Sequence, residues 1–186
     1  NAHSKLAKWF ESHAFKEDDS IVSNERASEE IPYQWQQAQE WKKLQSTLTE
    51  QDMLVAILED RSEQELLSYW LILEANIKTD IETQYEKAWK KWNLNEIEEK
   101  TGDIAQELAD FFSFAGRYKD FTERLYRLGL KLREKVLGPE HPDTATSLNN
   151  LGQLLSDKGD YDGAEPLFRR SLDIREKVLG PEHPDT

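Results

Sequence analysis

The sequence predicts an all-α protein built as a right-handed solenoid of antiparallel helical hairpins, and two observations carry this prediction. The segment 133–144, Arg-Glu-Lys-Val-Leu-Gly-Pro-Glu-His-Pro-Asp-Thr, returns unchanged at 175–186, an offset of 42 residues. A fixed period of this size is typical of proteins in which helical units stack side by side. Apolar residues also recur at the spacing of a helix, and no run alternates between apolar and polar residues as a strand would.

Composition agrees with an elongated stack and limits the classes of partner. Charged residues make up 33% and hydrophobic residues 37% of the chain, which suits a fold with much surface per residue. The net charge of −13 makes nucleic acid and anionic membranes poor partners, because phosphate binding needs clustered lysine and arginine. The simplest interpretation of the acidity is a solvated surface that keeps the chain soluble.

The absence of cysteine excludes several kinds of chemistry. Disulfide scaffolds, thiolate catalysis and cysteine-based zinc sites are ruled out, and we expect a cytoplasmic location. No apolar run reaches the ~20 residues that span a bilayer. The start, Asn1-Ala2, is typical of a cleaved tag, and the chain stops within a repeat, so we expect a piece of a longer protein.

Residues 3–100 are predicted to form degenerate helical hairpins, with apolar side chains at helical spacing. Two helix starts are marked by capping boxes, a serine or threonine followed three residues on by glutamate, at Ser62–Glu65 and Thr79–Glu82. The six tryptophans all precede residue 93 and are expected in the core or between helices, with Trp41 and Trp92 partly exposed. The remaining helices are expected over 4–14, from near Ser28 to a break at Gln39-Glu40, over 41–48 and over 49–60.

Residues 101–186 are predicted to form the regular repeats, because the helix-ending glycines and prolines and the small residues at the hairpin contacts all indicate the same hairpins. Gly138 and Gly180 suit a helix end, and the proline after each stops propagation. Small residues in the last hairpin are expected to let its two helices approach closely, with larger side chains filling the space around them. The small residues are Gly152, Ala164 and Ser171, and the larger ones are Leu148, Leu155, Tyr161 and Phe168. The four helices are expected over 102–115, 120–137, 142–158 and 162–179.

The repeat pattern is specific enough to suggest a family. The string Leu148-x-x-Leu-Gly-x-x-Leu…Gly-x-Tyr-x-x-Ala…Phe168 resembles the tetratricopeptide repeat (TPR), and its 42-residue form is similar to that of the kinesin light chain. The preceding unit matches at an offset of 43 residues before the turn and 42 after it, so its turn carries one extra residue. The resemblance implies a helical stack that recognises proteins.

A second, shorter resemblance involves the first half of the chain. His3-x-x-Leu-Ala-x-Trp-Phe and Glu30-Ile-Pro-Tyr-x-Trp-x-x-Ala-x-x-Trp-x-x-Leu are similar to a segment of signalling NTPases of the STAND or NACHT type (nephrocystin-like). In that family the segment joins the ATPase part to C-terminal TPRs. The resemblance implies that this chain is the ligand-sensing arm of a larger switch protein. The arm has no Gly-x-x-x-x-Gly-Lys-Ser/Thr loop of its own.

In TPR arrays the first helices of successive repeats line a concave groove, so the resemblance implies that their outward side chains bind a partner. Asparagine and glutamine offer donors and acceptors to the backbone of an extended peptide, and acidic neighbours favour a basic or neutral ligand. The alternative is that these side chains are only solvated. We expect replacement of Asn149 and Asn150 by Ala to weaken partner binding with little change in melting temperature. The candidate residues are Asp103, Gln106, Glu107 and Asp110 in the earlier unit and Thr146, Asn149, Asn150, Gln153 and Asp157 in the last.

The residues favour a non-catalytic protein–protein interaction module with no cofactor and no metal. The sequence shows no Ser/His/Asp order of a catalytic triad and no glycine-rich phosphate loop. His141 and His183 occupy equivalent loops between repeats, which indicates a structural role for both. The competing function is a structural scaffold without a peptide groove. Leu172 and Val178 are expected to be exposed on the last, uncapped repeat, which predicts end-to-end self-association through that repeat.

Overall fold

A computed structural model describes residues 1–14, 24–59, 63–92, 98–180 and 182–183. Over these residues the chain forms ten α-helices and no strand, which confirms the all-α prediction. The chain divides into two compact units, Asn1–Trp92 and Asn93–Thr186.

The first unit is a set of short helices packed on their neighbours in sequence. The helices are Ala2–His13 (α1), Asn24–Gln37 (α2), Trp41–Leu48 (α3), Gln51–Glu59 (α4), Glu63–Ile77 (α5) and Ile81–Trp89 (α6). Helix α1 packs on α2, α2 packs on α3 and α4, and α5 packs on α3 and α4. Helix α6 is tied to this group through Tyr85, whose hydroxyl donates to the Leu48 carbonyl at 2.8 Å.

Several predicted helix ends in the first unit differ from the structure. Helix α2 begins at Asn24 rather than near Ser28, and the Ser28 hydroxyl donates to the Glu25 carbonyl within the helix instead of capping its start. Helix α6 is capped by Asp80, which accepts from the Thr83 amide, one residue after the predicted Thr79. The break at Gln39 is confirmed, since its φ is +57°. The Ser62 capping box lies outside the described residues.

The tryptophans divide between core and surface. Trp35 and Trp70 are fully buried, and Trp41 and Trp92 are half-buried, as expected. Trp9 departs from the prediction, because it is 44% exposed and stacks on His13, with ring centroids 4.7 Å apart. The other face of α1, which carries Ala7 and Phe10, is the buried one.

The second unit consists of two stacked helical hairpins, as the repeat predicted. Helix α7 packs on α8 and α9 packs on α10, while α9 also contacts α8 and α7. The polypeptide turns within the hairpins at Gly116 and Gly159, both with positive φ. The four helices are Glu98–Phe114 (α7), Asp120–Val136 (α8), Pro142–Asp157 (α9) and Tyr161–Leu179 (α10).

Small residues bring the helices of each hairpin together. A Cβ at Gly152 would lie 2.9 Å from the Phe168 ring, and a Cβ at Gly129 would lie 3.3 Å from the Gly102 carbonyl oxygen. Leu148 is buried in a cluster with Ala145 and Ile174. The prediction that Tyr161 fills the interior is wrong, since it is 70% exposed at the first position of α10.

Candidate functional site

The candidate residues lie on the two helices that open the hairpins, α7 and α9, which contact each other. Their exposure is uneven. Thr146, Gln153 and Asp157 are exposed. Gln106 is only 3% exposed, so it does not occupy the outward position that helical spacing indicates. The half-buried candidates are Asp103, Glu107, Asp110, Asn149 and Asn150.

A hydrogen-bond network around Asp110 joins three helices. The Tyr126 hydroxyl of α8 donates to Asp110 Oδ1 at 2.7 Å. The Gln106 amide on α7 and the Asn150 amide on α9 donate to the same oxygen, both at 3.1 Å. The Ser113 hydroxyl lies 2.9 Å from the Tyr126 hydroxyl and extends the network. Asp110, Gln106 and Asn150 therefore hold the repeats together rather than presenting free groups to solvent.

A second polar group lies beside it and is centred on Arg133 of α8. Its guanidinium donates to the Ser147 hydroxyl at 2.9 Å and to Asp103 Oδ1 at 3.1 Å. The Ser147 hydroxyl donates in turn to Gln106 Oε1 at 3.1 Å. Ser147 and Arg133 were not among the predicted site residues. The one available signal for Ser147 was a small polar residue beside the core residue Leu148 on the buried face.

Burial makes Asp110 an unusual carboxylate. Desolvation raises its pKa above the usual 3.8, although hydrogen bonds from Tyr126, Gln106 and Asn150 and the charge of Arg133 oppose the rise. An ionised carboxylate between helices is costly unless donors surround it, which explains the three hydrogen bonds. The interface between α7, α8 and α9 is therefore sensitive to the charge of this one group.

Replacement of Asp110 by Asn is expected to change how stability depends on pH. Because the folded-state pKa is raised above the unfolded 3.8, the native protein binds the proton more tightly, and this contribution to stability is lost as pH rises through the folded pKa. We therefore compare the unfolding free energies of the wild type and of Asp110→Asn. The wild-type value minus the variant value should fall as pH rises from below 3.8.

Urea unfolding followed by circular dichroism at a series of pH values measures this difference. Glu123 has a pKa lowered mainly by its hydrogen bond from Lys158, so its pH dependence has the opposite sign. Glu123 is present in both the wild type and Asp110→Asn, so its contribution cancels when the two unfolding free energies are subtracted. A difference that stays constant across the acid range would contradict the assigned role of Asp110.

Two exposed candidates and the half-buried Asn149 form a smaller surface on α9. Thr146, Asn149 and Gln153 follow one another at helical spacing, and we call these three the α9 polar row. Thr146 bonds the Pro142 carbonyl, and the Gln153 amide donates to Asp157 at 2.9 Å. No hydrogen bond to another described side chain involves Asn149. The row can offer amide and hydroxyl groups to a ligand.

The histidine of the inter-repeat loop has a structural role, as expected. His141 is the N-cap of α9, and its Nδ1 accepts from the Asp143 amide at 3.2 Å. Among the described residues no three histidine, aspartate or glutamate side chains are grouped as metal ligands would be. No helix in the described ranges is long and apolar enough to cross a bilayer.

Comparison with known proteins assigns the repeats. A family model described as Tetratricopeptide repeat matches residues 105–143 and 144–185. The chain carries tetratricopeptide repeats. The two hairpins α7–α8 and α9–α10 are these repeats, and TPRs mark a protein-interaction module.

Relatives of this TPR chain are much longer. It is similar to Nephrocystin-3 of Mus musculus, with 52% identity over 131 residues, which is 68% of this chain and 10% of the relative. Nephrocystin-3 of Xenopus laevis is 50% identical over 144 residues, which is 75% of this chain and 11% of the relative. The chain thus spans about a tenth of the length of the curated relatives it matches. The crystal structure of BtubC (BKLC) from P. vanneervenii superposes with a TM-score of 0.47 and 22% identity, covering 98% of this chain and 74% of that one.

Proposed function

We propose that this chain recognises a protein or peptide partner through the α9 polar row and the adjacent part of α7. The observation that supports it is the series of exposed and half-buried amide and hydroxyl groups on α9, beside a network that fixes α9 against α7 and α8. A surface held in place before binding costs less conformational entropy when a ligand arrives. Side chains of the Asp110 network support this surface from beneath.

The chemistry of the row indicates the class of ligand. Asn149 and Gln153 can each donate to a backbone carbonyl and accept from a backbone amide, as an extended peptide requires. Asp157 at the end of α9 adds negative charge, and the whole chain carries −13. A basic or neutral peptide segment therefore fits better than an acidic one, and nucleic acid and anionic membrane are disfavoured.

The binding test uses Asn149→Ala alone. The Asn150 amide donates to Asp110 of the preceding repeat. Replacement of Asn150 would therefore change stability as well as binding, and the two effects could not be separated. We expect Asn149→Ala to weaken the best basic or neutral peptide selected from a library by about fivefold, since a net hydrogen bond contributes about 1 kcal/mol, with an unchanged melting temperature.

A matched control makes this test specific. Asn76→Ala removes the same side chain from α5, where the amide donates to the Ile72 carbonyl of its own helix, and should leave peptide affinity unchanged. Equal affinity of the wild type and Asn149→Ala would overturn the proposed binding surface. So would an equal loss in both variants, because it would place the effect outside the α9 polar row.

We further propose that the chain is a cytoplasmic, ligand-sensing arm of a STAND-type ATPase. The support is the resemblance of the N-terminal segment, the similarity to much longer relatives and the absence of cysteine. In such a full-length protein, the peptide that binds the α9 polar row should change the rate of ATP hydrolysis. A rate that is independent of that peptide would contradict the sensing role.

The rival function is a self-associating scaffold, and the observation that favours it is exposed apolar surface on the last repeat. Leu172 is 41% and Val178 is 48% exposed on α10, and burial of these side chains against a second copy would be favourable. Sedimentation velocity over a range of concentrations separates the two functions. A mass that doubles with concentration, and returns to that of a monomer in Leu172→Glu, would favour the scaffold.

A further inference from the structure

A groove of about 780 Å³ opens on the first unit between α3 and α6. We call it the α3–α6 groove. All of its lining residues except Ala88 and Trp92 are polar or charged, so it differs in chemistry from the apolar contacts that hold this unit together. The side chains that matter most below are Lys42, Gln45, Thr49, Gln84, Lys87 and Lys91.

Two hydrogen bonds across the groove show how its walls run. The Gln45 side-chain amide donates to Gln84 Oε1 at 2.8 Å, and further along both segments the Trp92 indole N–H donates to the Thr49 carbonyl at 3.1 Å. The two walls therefore run in the same direction, and the cations are spread along the groove rather than gathered at one end. Their order along it is Lys42, Lys87 and Lys91.

The lysines of this groove are available to a ligand. No carboxylate among the described residues pairs with Lys42, Lys87 or Lys91. Lys90, the neighbour of Lys91, lies outside the groove and pairs with Glu86 at 3.4 Å. Three unpaired cations in one groove are notable in a chain whose net charge is −13, because they attract anionic groups to this part of its surface.

The spacing of the cations matches an extended acidic peptide. Lys87 and Lys91 are four residues apart, and Lys90 between them keeps a helical backbone, so they lie roughly 6 Å apart along the axis. Alternate side chains of an extended peptide face the same way and repeat every ~6.6 Å. The bond between Gln45 and Gln84 leaves the Gln84 amide nitrogen without another described partner, so it can donate to a peptide carbonyl.

The other charges of the groove favour a peptide over a nucleic acid. Glu50 and Asp52 line the same groove at the start of α4. A nucleic acid carries a phosphate at every nucleotide and would bring charge against these carboxylates. A peptide can place neutral residues there and keep its acidic residues beside the lysines.

We propose that the α3–α6 groove binds an acidic segment of a partner protein in an extended conformation, with glutamate or aspartate at alternate positions against Lys87 and Lys91. This site lies in the first unit and its charge preference is opposite to that of the α9 polar row. It stands whether or not that row binds a peptide.

The probe is a fluorescein-labelled peptide of alternating glutamate and serine, about eight residues long, so that at ~3.3 Å per residue it covers the three lysines. It is titrated into the full chain by fluorescence anisotropy at about 0.15 M salt, where general charge attraction is screened beyond about 8 Å. We expect saturable binding that weakens roughly two- to fivefold in each of Lys87→Gln and Lys91→Gln, as for a partly exposed ion pair. Both lysines are exposed, so these variants keep their fold, which circular dichroism melting checks.

The matched control is Lys90→Gln, which removes the same charge from the adjacent position outside the groove and should leave affinity unchanged. A peptide of the same composition with its glutamates in one block should bind more weakly than the alternating probe. No saturable binding, an equal loss in Lys90→Gln, or equal affinity of the two peptides would each overturn the proposal. Displacement of the probe by an oligothymidylate of equal charge, as effective as by unlabelled peptide, would also overturn it, since the groove would then take nucleic acid.

Discussion

Replacement of Trp70 by Ala is expected to destabilise the first unit by about 3–5 kcal/mol, the range for truncation of a buried large aromatic side chain. Trp70 has 0% exposure, and its ring packs against Tyr85 with centroids 5.3 Å apart. The indole N–H donates to the Tyr85 hydroxyl at 3.4 Å, and that hydroxyl donates to the Leu48 carbonyl. The truncation opens a cavity where α3, α5 and α6 meet.

The matched control is the same substitution at Trp9 on α1. Trp9 is exposed and contacts mainly Phe10 and His13 of its own helix, so Trp9→Ala should cost no more than about 1 kcal/mol. All six tryptophans precede residue 93, so tryptophan fluorescence during urea unfolding reports on the first unit. Similar unfolding midpoints for the two variants would show that Trp70 does not anchor this core.

Replacement of Gly129 by Leu is expected to destabilise the second unit by about 1–3 kcal/mol, the usual cost of forcing a larger side chain into a packed interface. Gly129 is buried on α8, and its added Cβ would meet the Gly102 carbonyl of α7 at 3.3 Å. A backbone carbonyl cannot rotate away as a side chain can. The leucine would therefore push α7 and α8 apart.

Gly129→Ser provides the control for this prediction. Ser171 occupies the equivalent position one repeat later, where its hydroxyl donates to the Ala145 carbonyl at 2.7 Å. A serine at 129 can make the same bond to the Gly102 carbonyl, so its stability should lie close to that of the wild type. Far-UV circular dichroism follows the loss of helix, while tryptophan fluorescence of the first unit stays constant. Equal destabilisation by serine and leucine would contradict the explanation from side-chain size.

The regular repeats were predictable because their determinants are local. Helical spacing of apolar residues, small residues at the hairpin contacts and glycine followed by proline at the helix ends all lie within one or two turns of the elements they define. The first unit was less predictable. Asn24 rather than Ser28 begins α2, and nothing in the local pattern separates the exposed Trp9 from the buried Trp35.

The candidate site was only partly predictable, for a different physical reason. Spacing along one helix indicates which side chains share a face, but it does not indicate which neighbouring helix covers that face. Gln106 is 3% exposed and accepts a hydrogen bond from Ser147 of α9, and Asn150 donates to a carboxylate 40 residues away. These contacts depend on how three helices pack, which periodicity within a single helix does not contain.

The Asp110 network limits how the two repeats of this chain can be exchanged. In the next repeat Gln153 stands at the position of Asp110 and Phe168 at that of Tyr126, and Gln153 bonds Asp157 on its own helix instead. The two repeats share the same apolar positions but differ in the polar side chains that pair between helices. A copy of the last repeat in place of the preceding one would keep the apolar contacts but would lack the Asp110 network. The two repeats are therefore not interchangeable, and their order along the chain matters.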